Sequence, residues 1–282
     1  MKQLKDIAQD EQNMQIIVQL TNTFESLASI RIAQIKNQVL QAQKFFNELW
    51  NIYIQIRIDK LFRFGRKSNE SMSDKELIIV ISSAGGFSGD IDHRLIATML
   101  KQYDRKDQDI IVVGHHGTIL LAQAGVPYKK FFKLPEKDQN INVEPLIYEI
   151  RQYKNTVVYY QTYVSLMTQD IRRIELQAAI QELSEHAPPD KGVISESNYI
   201  FEPSAFDVVA HLEQSMLQIA LGQVIFDSKL AQYASRFRAM SVAHERADTS
   251  LSDTKFLFNQ TKRAIHDEQL KQIIVNLKKV VV

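Results

Sequence analysis

The sequence predicts an α/β central domain with a mostly parallel, Rossmann-like sheet, flanked by long N- and C-terminal helices that pair as an antiparallel coiled coil. Three observations predict it. The first 64 residues hold neither glycine nor proline. The last 79 hold one glycine and no proline. Between them, short β-branched runs alternate with helix-like segments, set apart by nearly all of the chain's glycine and proline. A helix interior loses about 1 kcal/mol to glycine and about 3 kcal/mol to proline, so two long stretches that avoid both read as two long helices. The resulting division is residues 1–66 for the first helix, 67–198 for the α/β domain and 199–282 for the last helix.

The N-terminal stretch carries apolar residues at steps of three and four: Ile17, Leu20, Phe24 and Leu27, then Ile35, Val39, Ala42, Phe46, Leu49, Tyr53 and Ile56. That is the narrow stripe of a two-stranded coiled coil, interrupted near Arg31. Lys67 to Ser73 is a polar linker. Glu76–Ile81 is a buried-type strand, Ser82–Gly89 a Gly/Ser turn, and Asp90–Tyr103 a helix. Asp109–Gly114 is a second strand, followed by a helix over Thr118–Ala124 and a weak strand over Tyr128–Leu134. Glu144–Tyr153 is a helix with Pro145 in its first turn. Thr156–Gln161 and Asp170–Leu176 read as strands. Strands alternating with helices imply a mostly parallel sheet. Residues 184–198, with Pro188-Pro189, form a loop.

The last helix starts after Glu202-Pro203-Ser204, where Ser204 can cap it. Its stripe runs Phe226, Leu230, Tyr233, Phe237, Met240, Ala247, Leu251, Thr254, Phe258, Thr261 and Ile265. The two helices span roughly 90 Å and roughly 115 Å. Rods of this kind need each other's apolar seams to be stable. The domain joins the end of one to the start of the other, so antiparallel pairing is the simplest geometry. With equal rise on both, Leu20 faces Leu251, Phe24 faces Ala247 and Leu27 faces His244, and the last dozen residues run on unpaired. His244 falls in the seam between Met240 and Ala247. It is either a hydrogen-bonded core histidine or a polar residue that fixes register.

Composition excludes several classes. The 282 residues carry a net charge of +1, so no whole-chain field favours nucleic acid or acidic lipid. The basic residues of the last helix, Arg236 and Lys262 among them, are interspersed with acids and make no one-sided nucleic-acid footprint. There is no cysteine, which rules out disulfides, thiolate nucleophiles and cysteine-ligated metals. The longest apolar run, Leu77–Ile81, is far shorter than the roughly 18 residues of a spanning helix. The N-terminus leads into polar sequence, unlike a signal peptide. A cytoplasmic protein without its own membrane span is expected.

Three candidate sites invite chemistry. The turn Ala84-Gly85-Gly86-Phe87-Ser88-Gly89-Asp90 stands where an α/β domain binds phosphate. Its spacing is neither the dinucleotide fingerprint nor a P-loop, and Gly85, Gly86 and Gly89 read first as a tight turn requiring positive φ and close helix–strand packing. Ser88, Asp92 and His93 suggest a hydrolase, but a nucleophile elbow needs glycine where Asp90 stands. His115-His116 follows the second strand and reads as a loop, with no acidic partner at ligand spacing. No catalytic residue, cofactor or metal is expected.

Several blocks together resemble the gamma subunit of the F-type ATP synthases, the central rotor shaft, over almost the full length. Leu20-Thr21-x-x-Phe24-x-x-Leu27-Ala28 is similar to the family's Ile-Thr-x-Ala-Met block. Ile81-Ser82-Ser83-Ala84-Gly85-Gly86-Phe87-Ser88-Gly89 resembles its strand and glycine-rich turn, and Val158 to Ser165 its late strand. Tyr199 to Ser204 resembles the entry to its last helix. Arg236-Phe237-x-Ala239-Met240 resembles Ala-Arg-Met-x-Ala-Met, and Phe258-Asn259 the Tyr-Asn beyond. The chain departs from the family where Ala84-Gly85 replaces Asp-Arg, and where Val275-Asn276 replaces Gly-Ala near the end.

The resemblance implies a non-catalytic rotor subunit that couples ion flow through a membrane ring to ATP synthesis or hydrolysis. It implies partners: the catalytic and non-catalytic nucleotide-binding subunits of a hexameric head, an epsilon-type subunit and the c-ring. It places the protein peripherally on the cytoplasmic side of a bacterial inner membrane, touching the membrane only through the complex. Leu20, Thr21, Phe24, Leu27, Arg236, Phe237, Met240, His244, Leu251, Phe258 and Asn259 become the expected seam and ring contacts. The alternatives are the shaft of a paralogous motor, an α/β enzyme with helical extensions that binds its ligand at Gly85–Asp90, and a coiled-coil adaptor that dimerises.

Overall fold

The computed structural model describes residues 4–57, 73–134, 141–176, 202 and 204–280. The expected loop at 184–198 and most of the linker from Lys67 lie outside the described residues. So do the side chains of Phe46, Tyr53 and Ile56. Helix α1 covers Leu4–Arg57. Then follow β1 Ser73–Ile81, α2 Ile91–Leu100, β2 Gln108–Val113, α3 His115–Gln123 and β3 Lys130–Phe132. Helix α4 Glu144–Ile150 precedes β4 Tyr153–Tyr163 and β5 Gln169–Glu175, and α5 runs over Ala205–Val280. The chain divides into two compact units, one of residues 1–27 with 237–282 and one of residues 28–236.

In the larger unit the sheet order is β3-β2-β1-β4-β5. The pairs β1–β2, β1–β4 and β2–β3 are parallel, and β4–β5 is antiparallel. The register sets Val80 opposite both Val112 and Tyr159. Side-chain alternation sorts the strand residues into two cores. Leu77, Ile79 and Ile81 face α4 and the Leu221–Ile225 stretch of α5. Ile78 and Val80 face α2 and α3. Both faces of the central strands are covered, which is why Leu77 to Ile81 reads as an unbroken apolar run.

Two glycines outside the glycine-rich turn permit close packing against Ser82. Gly114 has φ +98°, and a Cβ there would lie 2.1 Å from the Ser82 carbonyl oxygen. A Cβ on Gly117 would lie 2.5 Å from Ser82 Oγ. Gly85 and Gly86, expected to need positive φ, do not have it, and a Cβ on either meets nothing within 4 Å. Gly89 does sit at positive φ, +65°. His115 and His116, expected in a loop, open α3 instead. At the start of α5, Ser204 Oγ accepts the Asp207 N–H at 3.1 Å and donates to the Asp207 carboxylate at 2.6 Å, a reciprocal cap.

In the smaller unit the seam of α1 differs from the expected stripe by one position. Leu20 and Leu27 are each 50% exposed. The covered apolar positions include Leu4, Ile7, Met14 and Val18, with Thr21 buried beyond them. The spacing of three and four continues along α1 through Ala28, Ile32 and Ile35, all covered, so no interruption occurs near Arg31. Thr21 is buried where its neighbour Leu20 is exposed, and Ala28 is buried where its neighbour Leu27 is exposed. Phe24 is half-buried at the edge of the seam. On α5, Met240, Ala247 and Leu251 are buried, and Phe237, His244, Thr254, Phe258 and Thr261 are half-buried. Asn259 is exposed, as is every residue of 262–276.

Candidate functional site

In the smaller unit a polar contact crosses the helix pair at His244. His244 Nδ1 lies 3.3 Å from both Thr21 Oγ1 and the Val18 carbonyl oxygen. A carbonyl can only accept, so Nδ1 carries the hydrogen. The Thr21 hydroxyl is free to accept because its own hydrogen goes to Ile17 O at 2.9 Å or Val18 O at 3.0 Å. Thr21, not Leu27, therefore faces His244. The correction is six residues, about one heptad less the one-position phase error. Adjacent heptads of an apolar seam are nearly equivalent, and a polar pair discriminates between them.

A second polar cluster lies in the larger unit, where the carboxyl ends of β1 and β4 adjoin. The chain order reverses there, with β2 and β3 to one side of β1 and β4 to the other. This is the crevice where open α/β sheets bind ligands. Here the protein's own side chains fill it. Asp92 is 1% exposed. Its Oδ1 accepts the Ser83 N–H at 3.2 Å and Gln161 Nε2 at 2.8 Å. Its Oδ2 accepts the Ser83 hydroxyl and lies 2.7 Å from His116 Nδ1. A buried carboxylate is tolerated only when saturated with donors in this way.

The cluster reaches α5 through Gln161, which is 0% exposed. Its Oε1 accepts from the Ser228 hydroxyl and from Gln232 Nε2 at 3.2 Å, while Gln232 Nε2 lies 2.9 Å from Ser228 Oγ. One turn further, the Ser235 hydroxyl donates to Ser88 O at 2.7 Å. Arg236 Nη2 donates to Ser88 Oγ at 3.2 Å and to Gly86 O at 3.4 Å. Burial holds the Arg236 guanidinium below its ordinary pKa, with Tyr233 and Asp92 pulling it back up. These bonds pin the turn on both sides of Phe87, a non-glycine residue held at φ +66°.

Ser88, Asp92 and His93 do not come together as a hydrolase constellation. Ser88 Oγ is taken by Arg236, Asp92 is enclosed by Ser83, Gln161 and His116, and His93 points outward. Among the described residues, no three metal-ligating side chains come together. No described helix is long and apolar enough to cross a membrane. Sequence reasoning missed the roles of Asp92, Gln161, Ser228 and Gln232. A signal was present: Gln161 is a polar residue ending an apolar strand, and Ser228 and Gln232 stand one turn apart in the last helix.

The family model described as ATP synthase matches residues 3–276. The ATP synthase gamma chain of Mycoplasmoides gallisepticum is 22% identical over 292 residues, covering 99% of this chain and 100% of that one. A chain in the Euglena gracilis mitochondrial ATP synthase assembly of OSCP, F1 and c-ring superposes with a TM-score of 0.66 at 14% identity, over 98% of this chain and 94% of that one. A chain in the rotor of the same enzyme gives 0.59 at 13% identity, over 93% and 98%. The fold, a mostly parallel sheet with two long terminal helices, is thus shared with these structures, and with residues 3–276 matched, the chain belongs to the ATP synthase family.

Proposed function

We propose that the chain is the central shaft of an F-type rotary ATP synthase or ATPase, coupling ion movement through a membrane ring to ATP synthesis or hydrolysis in a catalytic head. The observation that carries this reading is the two-sided helix pair. Its seam buries Thr21, Met240, Ala247 and Leu251, yet it keeps large apolar side chains on the outside: Ile16, Leu20 and Leu27 on α1, and Phe256, 72% exposed, on α5. Beyond Thr261 the exposed α5 carries Leu270, Ile273 and Ile274. Apolar rows of this extent mark a surface that a partner covers. The likeness to ATP synthase gamma chains, and to chains in an F1/c-ring assembly and in a rotor, supports a nucleotide-binding ring as that partner, with the epsilon-type subunit and c-ring at the body.

The mechanism is a population shift. The two helices present different side chains around their circumference, so each ring subunit meets a different face. Only differential contact free energy can move a subunit between nucleotide affinities, and rotation changes which subunit receives which contacts. The chain itself makes and breaks no covalent bond. The support for this is the crevice at β1 and β4, whose polar atoms are consumed by Asp92, Gln161, Ser228 and Gln232. The protein belongs to a membrane-associated complex and attaches peripherally, on the cytoplasmic side of a bacterial membrane.

Affinity purification of the chain from its native host tests the reading. The expected result is co-purification of two related nucleotide-binding subunits in equal amount. Recovery of the chain alone as a stable homodimer would sink it in favour of a free-standing adaptor. A paralogous motor would bring the same head with different membrane components.

A further inference from the structure

We propose that the buried cluster of Asp92, Gln161, Ser228 and Gln232, with the flanking contacts of Ser235 and Arg236 to the glycine-rich turn, is a torque joint that fixes the rotation of α5 about its own axis relative to the sheet. The proposal rests on the shaft reading.

Helix α5 meets the sheet in two successive ways. Over Leu221, Val224 and Ile225 the contact is apolar. Apolar burial is non-directional, and it resists separation far better than it resists small rotation or sliding. From Ser228 onward the contact changes character. Ser228, Gln232, Ser235 and Arg236 lie on successive turns, and each hydrogen-bonds to the body. Hydrogen bonds weaken steeply with angle. Rotating α5 by a few tens of degrees would break all of them together and leave buried polar atoms unpaired. Their body-side partners are anchored in turn. Gln161 is held by Asp92, and Asp92 by the Ser83 backbone and by His116 of α3. The bonds thus form one connected path from α5 through β4 to α2, to the Ser83 turn that follows β1, and to α3. A shaft that carries a load needs such a joint. A family of apolar contacts alone does not supply one.

The test measures torsional stiffness in the assembled head complex. The complex is fixed through its nucleotide-binding ring, and a bead is tethered to a biotin-acceptor peptide inserted at the exposed Asp104–Asp107 turn. Fluctuations of the paused bead report the stiffness between ring and body, and bulk ATP hydrolysis is measured in parallel. Gln161→Leu should lower the stiffness at least twofold and leave hydrolysis within twofold of the unsubstituted complex. Because the chain has no cysteine, the pair Ser88→Cys and Ser235→Cys forms the sole intrachain disulfide. Added to Gln161→Leu, it should restore the stiffness when oxidised and lose it again under reductant. Should Gln161→Leu fail to assemble, Ser228→Ala removes one hydroxyl and carries the same expectation. Unchanged stiffness in a variant that assembles overturns the joint and leaves the shaft standing. A fall that brings hydrolysis down with it, or that the disulfide does not restore, also overturns it. If the unsubstituted chain does not turn the bead when ATP is added, the shaft reading itself fails, and the joint with it.

Discussion

Gly114 and Gly85 differ by one physical circumstance, and the difference is measurable. At Gly114 a methyl group would enter the Ser82 carbonyl at a φ that L-residues rarely adopt. At Gly85 it would enter open space. Gly114→Ala should therefore destabilise the chain by about 3 kcal/mol or more in denaturant melts, and Gly85→Ala should stay within about 0.5 kcal/mol. The glycine-rich turn was conspicuous in the sequence because three glycines cluster there. The critical glycine was inconspicuous because its neighbour, Ser82, is distant in sequence and adjacent only in the sheet. Asp227 offers a pH test. Burial pushes its carboxyl up to about 6, with Arg172 opposing. An unfolded aspartate gives up its proton near pH 4, whereas the folded one holds it until about pH 6. Stability owed to this group is therefore lost as pH rises from about 4 to 6. Asp227→Asn should stabilise the chain at pH 7 by about 2 kcal/mol, and the gain should vanish by about pH 4. An equal gain at both pH values would show that the carboxyl titrates normally.

At the scale of elements, the two long helices were legible from the absence of breakers, and the covered strands from an apolar run with β-branched residues. The seam of α5 was legible too, because its large residues, Met240 and Leu251, are the buried ones. The seam of α1 was not. That helix carries two adjacent apolar stripes, and the one holding Leu20 and Leu27 faces outward. Both recur at steps of three and four, so periodicity alone does not choose between them. Ile35→Ala, at a fully buried position, should cost about 3 kcal/mol, and Leu20→Ala below about 1 kcal/mol in the isolated chain. The reverse order would restore the stripe holding Leu20 and Leu27 as the seam. Register has its own test. With Thr21 at His244, the antiparallel heptads bring Val18 toward Ala247. Cysteines at 18 and 247 should form a disulfide on oxidation, and cysteines at 24 and 247 should not.

For the whole molecule, the exposed stretch of α5 separates folding from assembly. Every residue of 262–276 is exposed, so a chain ending after Thr261 keeps its seam. Its thermal unfolding should match the full chain within about 1 kcal/mol, while its retention of the nucleotide-binding subunits falls. A truncation that unfolds the chain would mean that the end of α5 contributes to the fold instead of to a partner.

What the sequence alone determined is the inventory and order of parts. Breaker-free stretches dictate long helices, alternating apolar runs dictate a parallel sheet, and the absence of cysteine dictates that nothing is stapled covalently. These are local properties, readable within a few turns of chain. The tertiary structure alone decided which stripe of α1 faces inward, which heptad of α5 it meets, and that the ligand crevice of the sheet is closed by Gln161, Ser228 and Gln232. Each of those outcomes depends on contacts between residues far apart in sequence, as between Thr21 and His244. A polar residue in an apolar stretch is visible in the sequence, but its partner is not, because donor and acceptor meet only when the backbone has already brought them together.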